Sequence, residues 1–314
     1  MESIVVTIYY ILFAFSFIYC MYFAITGLFG FKNYHKSMFG RHKAKYRFGI
    51  VIAGRNEEKV IGGLIKSLQK QHYPEHLYEI FVVPNNCTDN TEGVAREAGA
   101  TIIHCDVPVK QKGDALEDTF KKLVKREDID AFVVFDADNL VHPDFLARMN
   151  DALCEGVEVA QCFRDAKNMG DNWLTGSYTL FYFIQNFFFN RARMNYSGSA
   201  AINGTGFMVR RSVIQKYGFK TRTITEDSEF TGQCALRGIQ VAFVEGAITY
   251  DEHPQSFWAS WKQRKRWTSG CLSCLQIYGG KLLKTFFKTG NIACFDMVMM
   301  YMAPLMVVLG FVLS

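Results

Sequence analysis

Residues 4–30 are almost unbroken apolar sequence, and no charge follows Glu2 until Lys32. A run of that length exceeds the ~20 residues a helix needs to cross a bilayer. The start is acidic and the apolar core is too long for a cleaved signal peptide. A second apolar run, 292–314, holds only Asp296 as a charge and reaches the last residue without a polar tail. Read as a span, it implies a chain that ends in the membrane or continues into further spans. Between the two the pattern changes. Residues 48–53, 79–83, 101–103 and 131–135 are short continuous apolar runs, separated by helical patterns through Gln71 and over 91–98. Short uninterrupted strands alternating with helices predict a parallel sheet buried on both faces. Ligands of such sheets sit beyond the carboxyl ends of the strands.

Charge refines this picture. The chain has 314 residues, a net charge of +5, and 49% hydrophobic and 15% aromatic residues, enough for a large core with apolar surface to spare. Lys32, Lys36, Arg41, Lys43, Lys45 and Arg47 follow the first apolar run with no acid among them. That position favours anionic headgroups and places this end in the cytoplasm. No nucleic-acid-binding motif accompanies the basic stretch, so nucleic acid is not an expected partner. The nine cysteines show no framework spacing, and Cys271 and Cys274, a lone C-x-x-C in apolar surroundings, read as helix packing.

Three motifs carry candidate chemistry. Asp136-Ala137-Asp138 ends the fourth strand, and carboxylates at i and i+2 suit a divalent cation that prefers oxygen and bridges to phosphates; alternatively the acids cap a turn with Asn139. Thr225-Glu226-Asp227, with Glu229 beyond, offers a carboxylate to accept an acceptor proton, or an ordinary helix N-terminus. Gln263, Arg266 and Trp267 share one face of a helix starting near Phe257, where guanidinium, amide and indole suit a pyrophosphate and a sugar ring. The alternative is an interfacial membrane helix with Trp258, Trp261 and Trp267 among headgroups.

In this order between apolar spans, D-x-D, T-E-D and Q-x-x-R-W resemble the processive family-2 glycosyltransferases, which include cellulose, hyaluronan, chitin and poly-N-acetylglucosamine synthases. Supporting pieces are Arg55-Asn56-Glu57-Glu58, Asn86 to Thr91, Lys112-Gly113-Asp114-Ala115-Leu116 and Asn203-Gly204-Thr205-Gly206-Phe207. The resemblance covers about 48–278. It implies a GT-A fold, an α/β Rossmann-like mostly parallel sheet, with flanking transmembrane and interfacial helices. The expected division is a transmembrane helix at 1–31, a basic juxtamembrane segment at 32–47, the cytoplasmic catalytic domain at 48–250, interfacial helices at 251–290 and a second transmembrane helix at 291–314. The implied protein is a multi-pass cell-membrane enzyme.

The resemblance implies Asp227 as general base with Glu226 beside it. Asp138 and Asp136 would hold Mg2+ or Mn2+. Arg55, Glu57, Asn85, Lys112, Asp136, Gln263, Arg266 and Trp267 would face the donor, and Gly204, Thr205, Gly206 and Trp267 the acceptor. Asn85 departs from the pattern, standing where related sequences carry an aspartate toward uracil; its amide oxygen still accepts from N3–H. The implied partners are a UDP-sugar, a polysaccharide or glycolipid acceptor, the lipid bilayer and an export partner subunit. Single-sugar transfer to a lipid and a non-catalytic nucleotide-sugar sensor are the rival readings.

Three further stretches have mixed or bland readings. Asp89 and Glu92 have the spacing of a capping box. The aromatic stretch 173–196 lines an acceptor path or packs under the sheet. His253 is a loop histidine without metal-ligand partners in the sequence and reads as structural.

Overall fold

The computed structural model describes residues 2–32 and 39–313, so Lys36 of the basic run lies outside them. The four expected strands form as β1 (Phe48–Gly54), β2 (Tyr78–Pro84), β3 (Thr101–Ile102) and β4 (Ala131–Asp136). Four more strands follow that the pattern did not reveal: β5 (Leu140–Val141), β6 (Val159–Ala166), β7 (Phe207–Arg210) and β8 (Val241–Asp251). Together they make one eight-stranded mixed sheet ordered β3-β2-β1-β4-β7-β6-β8-β5. The pairs β1–β2, β1–β4, β2–β3 and β6–β8 are parallel, whereas β7 runs antiparallel to both β4 and β6, and β5 to β8.

The core has two layers because strand side chains alternate between faces. Ile50, Ile52, Val82, Val133 and Phe135 pack on one face with Leu64 and Ile65 of helix Ile61–Leu68 and Met149 of helix Phe145–Cys154. Val51, Phe81, Val83, Phe132 and Val134 pack on the other with Leu116 and Phe120 of helix Lys112–Leu123 and Phe230 of helix Glu226–Leu236. Each such side chain contributes about 1.5–3 kcal/mol when removed from water, and coverage of both faces explains why these strands read as unbroken apolar runs.

Two helices, spanning Ile4–Phe31 and Ile292–Leu313, are long and apolar enough to cross a membrane. They pack on each other through Tyr19, Tyr22 and Phe23 against Met299 and Met302. Asp296, the one charge of the second run, is buried. It accepts from Tyr22 on the first helix, from Arg193 (3.0 Å) and from Tyr196 (3.0 Å). Arg193 also lies 3.7 Å over the Phe189 ring. Between these helices and the sheet runs a continuous helical stretch, Trp173–Ile184, a π-helical turn Gln185–Arg191, then Ala192–Met194.

Candidate active site

Strand register fixes the location. Ala53 is level with Val83 and with Asp136, so the carboxyl ends of β1, β2 and β4 open onto one edge. The loops leaving β1 and β2 are tied together there. Asn56 Oδ1 accepts from the Thr88 amide (2.8 Å), Thr91 Oγ1 from the Glu57 amide (2.8 Å), and Glu58 exchanges bonds with Asp89 and Asn90. Asn85 donates its amide to the Gly54 carbonyl at 3.0 Å. Arg55 is exposed at the rim.

Asp136-Ala137-Asp138 is held from behind by Asn139. Its buried amide accepts from the Asp136 backbone (3.1 Å) and from the Thr205 hydroxyl, and donates to Asp251 at 2.6 Å. Asn139 therefore makes the turn, and the two acids are left free to act as carboxylates. Burial first, then Asp136 and Asp251, push the Asp138 carboxyl up to about 7 against the opposing Lys167. Glu57 is raised by the same causes, burial first and then Asp136.

Lys112 joins this motif to the next. Its ammonium donates to Asp136 Oδ1 (2.5 Å) and to the Gly204 carbonyl (2.7 Å), and stands 3.7 Å from Glu226 Oε1. Burial alone would lower it, but Asp136 and Glu226 more than offset that, so Lys112 stays firmly charged. Glu226 and Asp227 form the first turn of helix Glu226–Leu236, and burial raises both above the ordinary carboxyl range. Asp227 Oδ1 accepts from the Ser228 amide at 2.7 Å. Gly204, at φ +81°, takes a left-handed conformation that favours glycine, and a Cβ there would sit 3.4 Å from Asp227 Oδ2, so the two lie side by side.

The helix carrying Gln263, Arg266 and Trp267 is Phe257–Thr289. Gly270, one turn on from Arg266, abuts Thr225: an added Cβ would lie 2.1 Å from its hydroxyl. The face bearing Gln263, Arg266 and Trp267 thus ends on the T-E-D segment. Trp267 stacks on Phe181 (6.4 Å, 20°) and meets Tyr178 edge-on; Arg266 is exposed. The Gln263 side-chain oxygen is buried without a hydrogen-bond partner among the described residues.

A family model described as glycosyltransferase like family 2 matches residues 46–270, well over half of the chain. The chain belongs to this family. It is 29% identical over 280 residues to a probable glycosyltransferase, YdaM, of Bacillus subtilis (strain 168), which covers 82% of the chain and 64% of that protein. It is 26% identical over 264 residues to a beta-monoglucosyldiacylglycerol synthase of Nostoc sp., covering 81% of the chain and 56% of that protein. The chain therefore spans somewhat over half the length of these relatives. Among solved structures, a mannosyltransferase from Pyrobaculum calidifontis in complex with GDP-Man and Mn2+ superposes with a TM-score of 0.65 over 95% of this chain and 85% of that one, at 16% identity. That likeness establishes the GT-A fold.

The family-2 domain can be tested for a divalent cation from its own donor set. Among the described residues no group of three His, Cys, Asp or Glu side chains closes around a metal. Two carboxylates stand at the strand end, however, and Asp138 is buried beside Asp136 and Asp251 with its charge poorly compensated. This incomplete oxygen set fits a cation that shares its remaining positions with a diphosphate.

Several sequence expectations change. Asp89 and Glu92 do not form a capping box: Asp89 accepts from Thr91 and from the Glu58 amide, while Glu92 pairs with Arg96 at 2.8 Å. Thr225 precedes the base helix without capping it, because its hydroxyl is turned toward Gly270. Thr205 is fully buried and supports the D-A-D turn, and Gly206 ties the segment to β4 through the Val134 carbonyl. Gly204 lies against Asp227. The stretch 173–196 divides: Leu174, Tyr178 and Tyr182 are buried while Trp173, Leu180, Phe181 and Phe183 are exposed. His253 is enclosed by Tyr178 and Tyr182, and burial, then Arg164, lowers it to about 4.

The motif reading missed three residues. Arg164 reaches from β6 to Asp251 (2.5 Å) and the Asn203 carbonyl (2.6 Å), with its guanidinium over the Tyr182 ring. Glu229 is fully buried and clamps the Arg222 and Thr223 amides (2.7 Å each) to the Tyr278 hydroxyl (2.6 Å). Asp251 anchors Asn139 as well as Arg164. None of the three had a local signal for its role: β8 carries Glu245 and Thr249 as well as Asp251, and nothing local says that a charge will be buried.

Proposed function

We propose that this chain is an inverting glycosyltransferase that moves one hexose from a nucleotide sugar, a UDP-sugar in our reading, to the hydroxyl of a membrane lipid. The observation that carries the acceptor class is the exposed apolar face of two helices that pack on each other through Phe181 and Trp267. The helices bearing Phe181 and Trp267 turn Trp173, Phe183, Trp258 and Trp261 outward, with Trp173 74% and Trp258 70% exposed. Aromatic and apolar groups on such a face suit a lipid surface. The likeness to a synthase named for diacylglycerol supports the same class.

Asp227 takes the proton of the acceptor hydroxyl as it attacks the anomeric carbon, and the free Oδ2 facing Gly204 is the accepting atom. Lys112 pairs with Asp136 and with Glu226 and so ties the D-A-D segment to the T-E-D segment. Asp136 and Asp138 are the residues that would hold Mg2+ or Mn2+, which when bound supplies positive charge to the departing diphosphate. Arg55, Glu57 and Asn85 flank the nucleoside edge. Gln263 and Arg266 address the diphosphate, and Trp267 closes the acceptor side. The first apolar helix, read as a membrane span, holds the site at the bilayer face beside the second, whose first half packs on the catalytic domain; the basic residues after the first mark the cytoplasmic side.

Repeated addition to a polysaccharide is a second reading, favoured by the Gln263-to-Trp267 face that runs down onto T-E-D. Membranes holding the full-length protein, supplied with labelled UDP-glucose or UDP-N-acetylglucosamine, a divalent cation and diacylglycerol, separate the two. A single-sugar product extracted into chloroform, absent from Asp227→Asn membranes, is expected. A high-molecular-weight product independent of added lipid would replace our reading with the processive one.

A further inference from the structure

The second apolar helix does more than accompany the domain. Tyr301, midway along Ile292–Leu313, is fully buried, and its hydroxyl donates to the Ser228 carbonyl at 2.6 Å. Ser228 is the residue whose amide holds Asp227 Oδ1 at 2.7 Å. One residue is therefore gripped on both sides, by the candidate base through its N–H and by the apolar helix through its C=O.

A second observation shows that the fold makes room for this contact. Gly232 lies one turn further along the base helix, and a Cβ there would fall 2.4 Å from the Tyr301 hydroxyl. In a regular helix the residue-232 amide points at the residue-228 carbonyl. The phenol thus enters a notch at the 228–232 bond, whose carbonyl end belongs to the turn that bears Glu226 and Asp227. Around it Ala235, Cys274, Cys294, Met297 and Val298 form a dry apolar cluster, so water does not compete for the carbonyl.

We propose that Tyr301 is a positioning residue for Asp227, making the apolar helix a part of the catalytic apparatus; this rests on Asp227 being the base. Tyr301 does not touch substrate. It fixes the first turn of the base helix, so a displacement of the helix Ile292–Leu313 displaces the accepting oxygen. Small misplacements of a catalytic group are expensive in rate, whereas the loops after β1, β2 and β4 that flank the nucleoside edge do not touch Tyr301.

The test uses the full chain in membranes. Tyr301→Phe keeps the ring and deletes the hydroxyl, and we expect kcat per folded enzyme to fall about fivefold to tenfold with donor KM unchanged. Gly232→Ala, which drives a methyl group into the phenol's place, should give a similar fall. In the Tyr301→Phe background the same alanine should cost less, because the space it needs has been vacated. A kcat for Tyr301→Phe within about twofold of the parent overturns the inference, whatever happens to the melting temperature. So do strictly multiplicative effects of the two substitutions. Asp227→Asn is run alongside: full turnover in that variant removes the base assignment itself, while its inactivity beside a normal Tyr301→Phe removes the positioning role alone.

Discussion

The two sides of the cleft are built differently. On the donor side, the loops after β1 and β2 are laced by side-chain to backbone bonds, and the Asp136 turn is fixed by Asn139 and Thr205. On the proposed acceptor side, Asn203 Nδ2 is buried without a partner among the described residues, and the neighbouring helix exposes Trp173, Phe181 and Phe183. Rigid preorganisation suits a ligand that is the same in every turnover, a nucleoside diphosphate held through charge and fixed donors. An apolar, loosely engaged rim suits an acceptor whose identity lies in a small headgroup on a large hydrophobic body. The difference teaches that specificity for donor and for acceptor is written in different chemistry on one fold.

The hardest break falls on the seam between the sides. Asp227→Asn should lower kcat about 10³-fold with donor affinity retained, read by turnover and by equilibrium binding of UDP. Next comes Asp138→Asn, which should cost about 100-fold in kcat/KM. The same carboxyl makes a pH prediction. Its folded value of about 7 lies above the ordinary 3.8, so its contribution to stability is full below pH 4 and is lost as pH rises to about 7. The melting temperature of the cation-free enzyme should fall over that window, Mn2+ should restore it, and Asp138→Asn should flatten the dependence. Thr205→Val removes a buried hydroxyl from Asn139 and the Asp136 amide, with an expected loss of about 2 kcal/mol in denaturant unfolding. The smallest effect belongs to the acceptor rim: Trp267→Ala should raise acceptor KM about fivefold to tenfold and leave donor KM alone. Equal damage to both constants would erase the distinction between the sides.

The donor side was also the more legible from sequence. β1 to β4 are short, buried on both faces and parallel, so they announce themselves as apolar runs, and Asp136 stands where the fourth run stops. Beyond residue 140 the signal weakens for physical reasons. β5 and β7 are too short to show a period, and β6 and β8 mix buried and half-buried positions around a bulge between Cys162 and Phe163. The roles of Thr205, Arg164 and Glu229 depend on contacts across 66, 87 and 49 positions of chain, which no local pattern encodes. Trp267 was readable as a face-sharing partner of Gln263, but its stacking on Phe181 was not. The aromatic stretch contained both of its proposed fates, since one helix face went to the core and the other outward.

The carboxylate of Asp296 has a consequence for how the protein is made. It is shared by Tyr22, Arg193 and Tyr196, and Tyr22 precedes it by 274 positions. At a synthesis rate of about 5–20 residues per second, the first helix waits about 15–55 s for this partner. Arg193, fully buried in the folded molecule, precedes Asp296 by 103 positions and lacks its counter-charge for about 5–20 s, an arrangement that costs about 3–5 kcal/mol when burial is enforced. The interior around Arg193 therefore closes last, after the ribosome has passed Asp296, and a chain interrupted before that point keeps an unmatched cation and a loose N-terminal helix. A chain without the second apolar helix leaves Arg193 without Asp296, and one without the first leaves Asp296 without Tyr22.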